Sequence, residues 1–193
     1  MKVSSEWKKL TQAQRRVWNA WAKDNKVLLD DGSLRRVSGR KAMTMVLRNR
    51  AVADDGANPT VVPAPVTWLN GALSLRDAGP FTVNNGFIGF RLESTIEDAT
   101  KWFVWASAPL PASETEAHRK LRFVQCLNVP ALFANDLTPD VGPAYLQVWG
   151  SWDGPGEEGE WPQDTFIWLR LHQYANGQLG PSVTFKGWIT MEL

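Results

Sequence analysis

The chain has 193 residues, 44% of them hydrophobic and 21% charged, the profile of an ordinary globular protein with room for one full domain or one domain and a small appendage. Its single cysteine, Cys126, excludes an intrachain disulfide, and with it a disulfide-stapled scaffold. The net charge of +1 averages two unlike parts: residues 1–50 carry 13 Lys/Arg against 4 Asp/Glu, and residues 51–193 carry 8 against 16, a split that points to two regions with different electrostatic partners or with an attraction for each other.

The first fifty residues predict helices. Thr11 and Gln14 have the spacing of a capping box, in which each side chain satisfies an orphan N–H of the first turn. Leu10, Ala13, Val17, Ala20 and Trp21 then fall on one face at helical spacing. Asp30-Asp31-Gly32-Ser33 signals a turn. Ser38 caps a second helix in which Ala42, Met45, Val46 and Asn49 share a face. The expectation is a helical hairpin over about 11–50, within a basic head of residues 1–53.

Residues 54–66 hold three prolines, which remove backbone donors and favour extended chain. They predict a linker, with a body from 67 to 193. From Val66 onward the period changes from 3.6 to 2. Ile88, Phe90 and Leu92 alternate with Gly89, Arg91 and Glu93. Leu121, Phe123 and Leu127 share one side of a run. Ile167, Leu169 and Leu171 alternate with Trp168, Arg170 and His172. A last alternating run covers 183–193, and further strands are expected near 72–76, 80–84, 101–107 and 144–152. Asn84-Asn85-Gly86 and Ala175-Asn176-Gly177 supply turns. The fold class is therefore α+β, mainly β: a helical hairpin followed by an antiparallel β-sandwich of the immunoglobulin or fibronectin-type-III kind, with a jelly roll as the alternative.

Eleven tryptophans are the unusual feature, since tryptophan serves both cores and interfaces. The strand at 165–174 is apolar on both faces, with Ile167, Leu169 and Leu171 on one and Phe166, Trp168 and Tyr174 on the other. Such a strand is covered on both sides, by its own chain or by another molecule. Phe166, Trp168 and Tyr174, with Trp188, are the candidate interface residues.

Catalytic machinery is not expected. His118 falls in a polar stretch, and His172 is placed on the outer face of a strand beside Arg170. Cys126, in an apolar run, reads as a small core residue. No phosphate loop, nucleophile elbow, metal-ligand spacing or carboxylate pair stands out, so no cofactor is implied. The loop from Trp149 to Trp161 is either an acidic platform, with Asp153 rimmed by Trp149, Trp152 and Trp161, or a hairpin whose tryptophans anchor its base. Arg15, Arg16, Arg35, Arg36, Arg40 and Lys41 form a basic patch suited to nucleic-acid phosphates, to solvent or to an acidic neighbour. The polar start of the chain and the lack of any run of ~20 apolar residues predict neither signal peptide nor membrane span.

The segment Trp7-Lys-Lys-Leu-Thr-Gln-Ala-Gln-Arg-Arg-Val-Trp18-Asn-Ala-Trp21-Ala, followed by Ser38-Gly39 and a helix ending in Asn49-Arg50, resembles the opening of small uncharacterised proteins encoded in phages and prophages. Thr165-Phe-Ile-Trp-Leu-Arg-Leu and Asn176-Gly-Gln-Leu-Gly-Pro-Ser are similar to the last hairpin of the fibronectin-type-III-like part of such proteins, with His172-Gln-Tyr standing where an acidic turn is more usual. The resemblance implies a virion context, assembly in the host cytoplasm, and partners among copies of itself or other virion proteins. The expected function is that of a capsid-decorating, head–tail or tail component. A carbohydrate- or protein-binding module and a nucleic-acid-binding protein led by residues 1–50 are the alternatives.

Overall fold

Thr11 and Gln14 form the capping box: the Gln14 N–H donates to the Thr11 hydroxyl at 3.3 Å, and the Thr11 N–H to the Gln14 side chain at 2.9 Å. The structure, a computed structural model, describes residues 3–29, 33–65, 83–84, 87–89, 101–111, 113–115, 120–128, 140–150 and 165–188. Its architecture is α+β with an antiparallel sheet, and the chain divides into two compact units, Met1–Leu69 with Gln173–Pro181, and Asn70–His172 with Ser182–Leu193.

In the first unit, α1 (Val3–Lys9) and α2 (Gln12–Asp24) precede a two-stranded ribbon of β1 (Val27–Leu28) and β2 (Leu34–Arg35), and α3 (Gly39–Val52) follows. Ser38 caps α3 by accepting from the Lys41 N–H. The core gathers Trp18, Trp21 and Ala22 of α2 with Ala42, Met43, Val46 and Leu47 of α3. The buried stripes are rotated from the expected ones. Ala13, Val17 and Ala20 are exposed, because Trp18 and Trp21 hide far more surface than the small residues beside them and so set which side of α2 faces inward. On α3, Met45 and Asn49 are half-buried, while Met43 and Leu47 lie fully inside.

The two helices meet closely. A Cβ on Gly39 would stand 2.7 Å from the backbone nitrogen of Asn19 and 2.8 Å from the carbonyl carbon of Trp18, so only glycine fits. Residues 54–65, expected as a linker, pack on this unit: Pro59 accepts from the Trp18 indole N–H at 2.8 Å, and Ala57 and Val62 rest against the core.

The turn at 176–177 belongs to the same unit. Asn176 and Gly177 both have positive φ, 50° and 84°, as a two-residue hairpin with the twist of its strands requires. Asn49 donates to the Gly177 carbonyl, Gln178 to the Ala64 carbonyl, and the Tyr174 hydroxyl to the Asp55 carboxylate.

The second unit holds the ribbon of β3 (Val83–Asn84) and β4 (Phe87–Ile88), the strands β5 (Lys101–Ala106), β6 (Leu110–Pro111) and β7 (Arg122–Asn128), and α4 (Gly142–Trp149). It also holds most of β8 (Thr165–Ala175) and β9 (Gln178–Trp188). The sheet runs β6-β8-β5-β7, with β9 paired to β8, and β5 meets β7 with a bulge between Val104 and Trp105.

The strand expected at 144–152 is instead helix α4. Pro143 lies in its first turn, where a fixed φ and a missing N–H cost nothing. Asp140 Oδ1 accepts from the Gly142 N–H at 2.8 Å and the Ile88 N–H at 3.1 Å, pinning the helix start to β4. His172 is likewise not on an outer face: it is buried, with its ring 4.8 Å from that of Trp105, because neighbouring aromatics on β5 cover it. The strand expected near 72–76, residues Phe90 and Leu92, and the end of the last run at 189–193 lie outside the described residues. Among the described residues, no helix is long and apolar enough to cross a membrane.

Two measurements check this packing. Gly39→Ala is expected to lower unfolding free energy by about 1–3 kcal/mol, seen as a lower urea midpoint at unchanged slope. The only two tyrosines of the chain, Tyr145 and Tyr174, both have phenol pKa values pushed well above 10, by burial in each case and also by the Asp55 carboxylate at Tyr174. The unfolded chain therefore releases these protons first as pH rises past about 10, and stability falls from there upward. A spectrophotometric titration should show no tyrosinate until the protein unfolds, and then both phenols together.

Candidate functional site

Alternation along β8 sends Phe166, Trp168, Arg170 and His172 to one face of the sheet. Across from them β9 brings Lys186 and Trp188. The Phe166 ring lies 6.1 Å from Trp168 and 5.7 Å from Trp188, both edge-on. The Lys186 ammonium stands 3.5 Å from the Phe166 ring centroid and 5.1 Å from that of Trp188, a geometry in which the ring's negative face attracts the cation. Arg170 donates to the Thr184 hydroxyl at 3.0 Å, and partial burial lowers its pKa. Phe166 is fully buried, Trp168 half-buried, and Trp188 is 43% exposed. The cluster thus grades from core to solvent.

A second aromatic group occupies the same face: Trp105 touches His172 and sits 5.5 Å from Phe123, which is also 5.5 Å from Phe103. Each such pair adds about 0.5–1.5 kcal/mol beyond its buried area.

Ser107 holds Trp168 in place. Its hydroxyl accepts from the Trp168 N–H at 3.0 Å, its own N–H donates to the Trp168 carbonyl at 2.9 Å, and its carbonyl accepts from the Tyr145 hydroxyl of α4 at 2.9 Å. Ser107 is fully buried, so each of these bonds replaces one that water no longer offers.

Of the candidate interface residues, Phe166, Trp168 and Trp188 come together. Tyr174 does not join them; it is buried in the other unit against Asp55. Trp149 ends α4 with the Arg122 guanidinium 4.4 Å over its ring, which occupies a face that a stacking platform needs. Trp152, Asp153 and Trp161 lie outside the described residues, as does His118. Cys126 is half-buried.

In the basic patch, Arg15 is committed to structure, donating to the carbonyls of Trp7 at 3.1 Å and Lys8 at 2.9 Å, where it closes the end of α1. Arg16, Arg35, Arg36, Arg40 and Lys41 are exposed. Among the described residues, no three His, Cys, Asp or Glu side chains gather as a metal site needs.

Lys186 and Ser107 were not legible as site residues. Lys186 alternates with Phe185 and Gly187 as any solvent-facing strand residue does, and its value comes from a register that sequence does not print. Asp140-Val-Gly-Pro143 did carry a signal, since an Asp two residues before a Gly-Pro start marks a helix entry.

No protein-family model, no curated protein and no solved structure matches the chain.

Ser107→Ala should cost about 1–3 kcal/mol through the donor it strands at Trp168. A thermal unfolding curve shifted by less than that of an exposed control substitution would show that the Ser107 hydroxyl does not hold the strand.

Proposed function

We propose that the chain is a non-catalytic virion structural protein, a capsid-decorating, head–tail or tail component that acts through protein–protein contacts. The observation that carries the reading is Trp188, 43% exposed on β9 beside Lys186 and Phe166. A partly exposed tryptophan backed by buried aromatics is the composition of interface hot spots, where a few large side chains supply most of the binding energy. The likeness of residues 7–50 to phage- and prophage-encoded proteins supplies the virion context, with other copies of the chain or other virion proteins as partners.

The sheet is proposed as one layer of an immunoglobulin- or fibronectin-type-III-like sandwich, with a jelly roll as the alternative. In support, Ile167, Leu169 and Leu171 along one face of β8 are all fully buried, as the inner face of a strand in a two-layer fold is. The Arg122 cation over Trp149 favours protein contacts over a glycan platform, because a stacked sugar needs that ring open.

Trp188→Ala gives up the packing of the buried part of its ring against Phe166, so the variant is expected to keep the circular dichroism of the parent and to melt several degrees lower, still folded at room temperature. It is expected to lose assembly, read as a fall in molar mass by light scattering after size exclusion, with electron microscopy of the large species. Trp168→Ala is expected to impair assembly too. Assembly of folded Trp188→Ala protein at parental efficiency would overturn the assignment of this face.

A further inference from the structure

The first unit presents a surface of opposite character. Gly39 brings the first turn of α3 against the middle of α2, within 3 Å of Asn19 and Trp18 backbone for any added Cβ. Arg40, next in sequence, is thereby set beside Asn19. Arg16 and Lys23 lie three before and four after Asn19, the two spacings that share its helical face. Arg35, Arg36 and Lys41 flank the same turn, and all six cations are exposed. Neither α2 nor α3 has an acidic residue in its first turn, and α3 has none along its length. Cations at the positive end of a helix dipole work against folding, and an anionic partner offsets that repulsion.

Two further features choose among anions. Four of the six cations are arginines, whose planar fork matches phosphate oxygens in pairs. Beside them, Trp18 and Trp21 are buried and Trp7 is half-buried, so among the described residues of the unit the indoles turn inward and offer no platform for stacking unpaired bases. Contact is then to a backbone, not to splayed bases. The competing occupant is the acidic part of a second copy, but the densest run among its 16 carboxylates is five in residues 153–164, whereas a duplex carries one charge per ~1.7 Å of axis along its whole length.

We propose that the face built from Arg16, Lys23, Arg35, Arg36, Arg40 and Lys41 binds the phosphate backbone of double-stranded nucleic acid without reading its sequence. The proposal is independent of the aromatic face.

The test uses the full chain and a short labelled DNA duplex, with fluorescence anisotropy followed across salt. Six phosphate contacts give a log–log salt slope near −0.9 per contact, hence an affinity loss of about a thousandfold between ~50 and ~200 mM salt. The variant R16Q/R36Q/R40Q/K41Q removes exposed charges only, so it should keep its circular dichroism, bind at least tenfold more weakly at low salt, and show a slope flatter by about 3.6. The variant K101Q/K120Q, in the other unit, should match the parent in both. Absence of binding at low salt overturns the proposal, as does an equal loss in both variants, which would mean net charge alone. A fourfold variant that leaves DNA binding intact but lowers molar mass in light scattering also overturns it, and assigns the face to a second copy.

Discussion

β8 has to be hidden from water on both faces, and the sheet is arranged around that requirement. Ile167, Leu169 and Leu171 point one way and Phe166 and His172 the other, all buried. Burying an apolar side chain of this size is worth about 1.5–3 kcal/mol, so exposing the face of Ile167, Leu169 and Leu171 alone would cost much of what a small domain has to spare. Along its edges the strand takes β5 and β6 as hydrogen-bonded neighbours and β9 as its hairpin partner. Where β5 gives way to β6, Ser107 bonds both backbone groups of Trp168 and also receives the Tyr145 hydroxyl. One buried serine thus couples the central strand to the helix α4.

The helical unit is organised by volume. Trp18 is 1% exposed, meets Trp21 edge-on at 5.9 Å, and sends its N–H to Pro59. A side chain this large fits between two short helices only if the backbones close up elsewhere, and Gly39 is where they do. The same closeness fixes where the first turn of α3 lies on α2, so the placement of the exposed cations follows from an interior packing demand. On the sheet the logic is reversed: register across β8 and β9 sets Lys186 beside two rings, and the exposed end of that cluster is what packing leaves over.

Local chemistry was legible in the residues. The Thr11–Gln14 box, the Ser38 cap, the Asn176-Gly177 turn and the two-sided strand at 165–174 each depend on a few neighbours whose geometry is nearly forced. What escaped depended on comparison between distant parts. Of the stripe expected along α2, Leu10 and Trp21 are buried, but Ala13, Val17 and Ala20 match a helical period as well as Trp18 does, and only the partner helix decides between them. His172 looked solvent-facing because its cover, Trp105, is sixty-seven residues away. Residues 144–152 fit a strand as well as a helix because apolar side chains in a short run serve either structure. Lys186 and Ser107, the residues that shape the aromatic face, owe their roles wholly to register.

The turn at 176–177 also dates the completion of the helical unit. Its bonds from Asn49, Asp55 and Ala64 span 114 to 128 residues of chain, and Gly177 sits where a Cβ would meet Val46 at 2.6 Å. On the ribosome, helices α1 to α3 emerge early and then wait while more than a hundred further residues are made, at about 5–20 residues per second. For those seconds the groove beside Val27, Met45 and Val46 lacks its closing segment. Helices made more than a hundred residues ahead of this turn are thus finished only when it arrives, and the strand that finishes them is the one the sheet is also waiting for.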